Sequence, residues 1–168
     1  MKCEGCVFVV KRMRLLETWV KAPFLKGASL VLAGECVQGV YPDLYKRFVE
    51  GRTVLTSCPE AESFGTIMGK LASIITCSKP REIRVLTMDG SPHCFALHAA
   101  LNQALFVTGS SVLSQHFVVV DGKVLEVSPE SVRLGRYLHL VQKCIENYPQ
   151  ILEELGRYSL EHRCFMKK

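Results

Sequence analysis

Three short runs rich in Val, Leu and Ile constrain this chain most. They are SLVLAG (29–34), RTVLTS (52–57) and EIRVLTM (82–88), and each is followed by apolar residues at helical spacing. Runs of this length with β-branched residues read as strands, and their alternation with helical patterns predicts a mostly parallel sheet. In a parallel sheet the residues just past the strand ends collect at one edge, where ligands bind. Each run is followed by a cysteine: Cys36, Cys58 and Cys94. Thiols far apart in sequence are therefore expected to share one rim.

The intervening segments carry helix signals. Pro42 and Asp43 open one helix, and Gly51 stops it. Cys58-Pro59, with Glu60 and Glu62 behind it, opens the next, which runs to about Cys77. Ser91 and Pro92 start a third, whose first turn holds His93 and Cys94. Asp121-Gly122 between HFVVV and KVLEV signals a hairpin. The expected fold is α/β: a Rossmann-like, three-layer arrangement with a mostly parallel sheet of about 4–5 strands, a C-terminal hairpin and a helical tail. Residues 1–168 are read as a single α/β domain. Residues 1–28 form an N-terminal segment with Cys3-x-x-Cys6 and a helix through Leu15, Leu16, Trp19 and Val20. Residues 29–127 form the core, and 128–168 form C-terminal helices broken at Pro149.

Composition narrows the class. No apolar run reaches the roughly 18 residues that span a bilayer. The N-terminus lacks a signal-peptide pattern, so a cytoplasmic protein without a membrane role is expected. Eight cysteines in a reducing compartment point to metal binding or thiol chemistry rather than a disulfide framework. The net charge of +5 is modest, and the run Lys11-Arg12-Met13-Arg14 lacks interleaved aromatics, so it reads as a solvated face and not a nucleic-acid platform.

Helix N-termini favour thiolate, the metal-binding and nucleophilic form. Cys58 at an N-cap and Cys94 in a first turn are expected to feel this, while Cys36 falls in a loop between Gly34 and Gly39. Glu35, Glu60, Glu62 and Asp89 add negative charge nearby, which bare thiolates resist and a cation or cluster relieves. The candidate ligands are Cys36, Cys58 and Cys94. His93, or Cys3 and Cys6, could complete the set around zinc or an iron–sulfur cluster. His98, one turn past Cys94, is an equal alternative to His93 as the nitrogen ligand. Cys77, Cys144 and Cys164 read as core residues, and His116, His139 and His162 as surface or satisfied ones.

The phrase LVLAGECVQGVYPDLYKRFVEGRTVLTSCPEAESF, followed by REIRVLTMDGSPHCFALHAAL, resembles the C-terminal domain of 4Fe-4S ferredoxin-like proteins. Glu35-Cys36, Tyr41-Pro42-Asp43, Cys58-Pro59 and Pro92-His93-Cys94 carry the resemblance, over roughly residues 19–127. The chain has no C-x-x-C-x-x-C-x-x-x-C run, so the ferredoxin module is absent, and His93 stands where that family has a cysteine. The resemblance implies a module associated with iron–sulfur redox proteins, working beside a redox partner protein.

Three functions are therefore weighed. The first is a metal or iron–sulfur binding module acting in electron transfer. The second is a thiol-dependent redox enzyme. The third is a structural subunit whose C-terminal helices dock a partner or pair two copies into a homodimer. No G-x-S-x-G, G-x-x-x-x-G-K-[ST] or G-x-G-x-x-G run is present, which tilts the choice towards binding rather than catalysis.

Overall fold

The computed structural model describes residues 13–165. Among the described residues six strands form one sheet in the order β1-β3-β2-β4-β5-β6: β1 Met13–Arg14, β2 Ser29–Gly34, β3 Thr53–Ser57, β4 Glu82–Met88, β5 Leu113–Val120 and β6 Lys123–Val127. All neighbours are parallel except the β5–β6 hairpin. The α/β, Rossmann-like expectation holds, with β1 as an added two-residue edge strand.

β2 lies inside the sheet and is buried along its whole length, as a continuous apolar strand covered on both faces must be. Its alternate residues serve two cores. Leu30 and Leu32 join Leu55, Ile83 and Val85 beneath α3 (Phe64–Ser78) and α4 (Pro92–Thr108), which contribute Ile67, Leu71, Leu97 and Leu101. Val31 and Ala33 join Val54, Leu86 and Val119 on the other face, beneath α1 (Glu35–Val40) and α2 (Pro42–Val49).

Capping explains most boundaries. The Ser91 hydroxyl accepts from the Cys94 amide with Pro92 at the first helical position, as expected. The start of α3 differs from expectation. Ser63 is its cap, accepting from the Thr66 amide, and Cys58 lies five residues upstream in a turn where its carbonyl accepts from Ala61 and Glu62. The hydroxyl of Ser63 supplies the cap acceptor that a thiol supplies poorly, so the helix begins there. Cys36 likewise sits in the first turn of α1 rather than in a loop, because β2 passes into the helix without an intervening turn.

The helix expected through Leu15 to Val20 is absent. Met13 and Arg14 pair with Leu55 and Thr56 of β3, the Leu15 amide continues to the Thr56 carbonyl at 2.7 Å, and turns lead to a 3-10 turn at Pro23–Leu25. The open edge of β3 captures this backbone, and Leu15 is fully buried as a result. Asp121 and Gly122 both have positive φ, 47° and 74°, the conformation a tight type I′ hairpin requires.

The chain divides into two compact units, 1–127 and 128–168. In the second, Ser128 caps α5 (Pro129–Leu134), and α6 (Leu138–Asn147), α7 (Ile151–Tyr158) and α8 (Leu160–Phe165) follow, with the expected break at Pro149. Cys144 and Cys164 are exposed there, as is Cys77 on α3, so none of the three is a core residue.

Leu32 has no exposure and its side chain joins the core under both long helices. Leu32→Ala is expected to lower stability by about 2–5 kcal/mol, read as a reduced urea midpoint with an unchanged m-value.

Candidate functional site at the carboxyl edge of the sheet

From β2 the chain moves outward to β3, then crosses back to β4 on the other side of β2. The carboxyl ends of β2 and β4 therefore flank the point where the winding reverses, the place where such sheets open a crevice. Cys36 follows β2 by two residues, and Cys94 lies in the first turn of the helix after β4. Cys58 directly follows the neighbouring β3.

The three thiols differ in environment: Cys36 is exposed, Cys58 half-buried and Cys94 buried. Burial pushes the Cys94 thiol above its ordinary value. Hydrogen bonds involving Ser91 and the Met88 backbone oppose that rise, while negative charge on Cys36 or Cys58 adds to it. The expected lowering by the helix N-terminus is thus overturned at Cys94, because desolvation outweighs the helix field. As the side chains stand, no group of three or more His, Cys, Asp or Glu among the described residues is arranged to hold a metal ion. Cys3 and Cys6 lie outside the described residues.

Arg14, expected on a solvated face, instead organises the acidic residues of the rim. Its guanidinium lies 3.3 Å from Glu35 and 3.2 Å from Glu62, and Ser57 donates to the other Glu62 oxygen at 2.5 Å. The Glu62 side chain is only 7% exposed, so this pair is shielded more than a surface one. No sequence pattern pointed to Arg14, because Glu35 at the start of α1 and Glu62 in the turn before α3 are far from it in sequence. Glu60 meets Nδ1 of His93, joining the turn after β3 to the first turn of α4.

His98 is excluded as a ligand by its own bonding. Its Nε2 lies 2.8 Å from the Thr87 hydroxyl and its Nδ1 2.9 Å from Nδ1 of His116, whose Nε2 lies 3.2 Å from the Asn102 side-chain oxygen. With that oxygen accepting, the neutral tautomers follow in order: Thr87 donates to His98, His98 to His116, and His116 to Asn102. The chain runs through the α4-facing core directly behind the rim. His116 is fully buried on β5, hidden from sequence because its polarity is satisfied by a helix residue.

A family model for a Rossmann-like domain matches residues 22–155. The chain belongs to the Rossmann-like domain family. A relative in Archaeoglobus fulgidus, an uncharacterized protein, is 34% identical over 113 residues, covering 67% of this chain and 79% of the relative. No solved structure matches. These matches overturn the resemblance to ferredoxin-like proteins: the family found is the Rossmann-like domain, and no ferredoxin or iron–sulfur family is matched. The shared phrases are short strand-end and helix-start segments, which an α/β domain needs for folding whatever it binds. No helix among the described residues is long and apolar enough to cross a membrane.

Burial holds His98 neutral, with its pKa lowered from 6.5 to about 3. Between those values the unfolded chain binds one proton more than the fold does. The contribution to stability is therefore complete above pH 6.5 and is lost as pH falls towards 3. His98→Gln is expected to remove up to about 1.4 kcal/mol per pH unit from the slope of stability in that window, measured by urea denaturation at a series of pH values.

Proposed function

We propose that this domain is a cysteine-based binding module that holds a soft metal ion or an iron–sulfur cluster through Cys36, Cys58 and Cys94. What supports this reading is placement: Cys36, Cys58 and Cys94 follow the parallel strands β2, β3 and β4 at one edge of the sheet. A bound cation would offset the negative charge of thiolates gathered at that edge and make them a ligand set. Dinucleotide binding, common in this fold, is disfavoured by the residues present. The junction of β2 and α1 reads Gly34-Glu35-Cys36, placing a carboxylate and a thiol where a pyrophosphate needs glycine backbone. A reducing cytoplasm would suit free thiols of this kind, and a redox partner protein would suit a cluster.

One observation favours a second reading, thiol–disulfide exchange: the three sulfurs do not stand ready around an ion. The exposed Cys36 thiolate would attack a disulfide of an oxidised partner, expelling one thiolate and forming a mixed disulfide. A second rim thiolate would then expel the partner's remaining thiolate, leaving an internal disulfide here and a reduced dithiol there.

Protein purified anaerobically is expected to carry zinc or iron, or to take either up stoichiometrically after reduction. Combined Cys36→Ser, Cys58→Ser and Cys94→Ser substitution should abolish this, and the same changes at Cys77, Cys144 and Cys164 should not. Protein that neither carries nor takes up zinc or iron by elemental analysis overturns the metal reading. If Cys36 in that protein also alkylates no faster than a model thiol, the exchange reading fails too.

A further inference from the structure

We infer that the exposed face of α7 is a dimer interface that packs antiparallel against the same face of a second copy of this chain. Ile151, Leu155 and Tyr158 recur at i, i+4 and i+7, which places them in one stripe along the helix. All three stand open to solvent, with exposures of 49%, 44% and 60%. Leu152 and Gly156 are turned another way: both are half-buried, and a Cβ built on Gly156 would lie 3.9 Å from the His162 ring of α8. The side of α7 that meets α8 is thus accounted for, and the apolar stripe beside it is left open.

The charges on α7 say what covers the stripe. Glu154 lies in the first turn and Arg157 in the last, both exposed and both on the same flank of the stripe. When two copies of a helix pack antiparallel about a two-fold axis, like flanks meet. With the axis at Leu155, that residue meets its own counterpart and Ile151 meets Tyr158 of the partner subunit. Glu154 then falls within one residue's rise, about 1.5 Å, of the level of Arg157 of the partner subunit, and symmetry supplies the same ion pair twice. The positive end of each helix dipole also lies beside the negative end of the other. A parallel pairing would set glutamate against glutamate and arginine against arginine, so charge selects the antiparallel one. Residues 129–165 carry five acidic and five basic side chains, a balance that gives an anionic membrane or polyanion no cationic face to bind. An eight-residue helix is only about 12 Å long, which puts the contact at the weak end of specific interfaces and makes dimerisation reversible.

Sedimentation velocity of the full chain at low salt, from about 1 µM to about 1 mM, tests this. A reductant keeps the exposed Cys144 and Cys164 from crosslinking copies. Wild type should pass from monomer to dimer across the range. Leu155→Glu, which sets two carboxylates against each other on the two-fold axis, should stay monomeric throughout. Glu154→Arg and Arg157→Glu should each weaken dimerisation about tenfold, because each turns two attractions into repulsions. The chain carrying both reversals should regain wild-type dimerisation. An equimolar mixture of the two single variants should form a heterodimer of wild-type strength, since both attractions are then restored. All three substituted side chains are exposed, and thermal melts of the variants should match wild type. Wild type that remains monomeric to the top of the range would overturn the interface, and so would a dimer that Leu155→Glu leaves intact. A mixture of the single variants that associates no better than either alone would overturn the antiparallel register. Monomeric wild type that binds phosphatidylglycerol vesicles would assign the stripe to a membrane surface instead.

Discussion

The shared direction of β2, β3 and β4 is the constraint on which everything else depends. A parallel connection must return to the starting edge before the next strand begins, so every strand end is followed by a turn or helix start on one side of the sheet. That geometry delivers Glu35 and Cys36, then Ser57 and Cys58, then His93 and Cys94 to one rim, regardless of sequence separation. The winding reverses around β2, so the β2 and β4 ends flank the position where sheets of this kind bind ligands. The aliphatic character of β2, buried on both faces, keeps it in that position.

Charge on this rim is managed locally. Arg14 neutralises Glu35 and Glu62, and Ser57 adds a hydrogen bond to Glu62, so the acidic residues flanking the thiols are held in a network. The thiols have no such partner in this network. Desolvation and mutual repulsion both act against ionised Cys94, and only the Ser91 and Met88 hydrogen bonds and the field of α4 act for it. Behind it, the Thr87–His98–His116–Asn102 chain fixes α4 against β4 and β5 through directed hydrogen bonds rather than aliphatic contact alone. Directed bonds of this kind resist sliding of the helix, and so hold the first turn of α4, with Cys94, at a fixed height above the sheet.

Much of the fold was legible. The strand runs, the Ser91-Pro92 start of α4, the Asp121-Gly122 hairpin and the Pro149 break are local signals, decided by side-chain shape and backbone preference within a few residues. The misses have a common origin in contacts made across the sequence. Met13 and Arg14 became a strand because the edge of β3 was open to them, overriding a helical pattern. Cys58 lost the cap to Ser63, whose hydroxyl is the better acceptor. Arg14 and His116 looked unremarkable because their partners, Glu35 and Glu62 for one and His98 and Asn102 for the other, come from different elements. The phrases that suggested a ferredoxin-like relative span strand ends and helix starts that the Rossmann-like domain has too.

By itself the sequence determined that alternating strands and helices would form a parallel sheet, and hence that Cys36, Cys58 and Cys94 would share an edge, because strand direction and connection length leave no other placement. Only the tertiary structure decided how each thiol is solvated, which acids Arg14 neutralises, that His98 turns inward, and that Glu60 meets His93. Those outcomes depend on distances of a few ångströms between residues tens of positions apart, and no local preference encodes them.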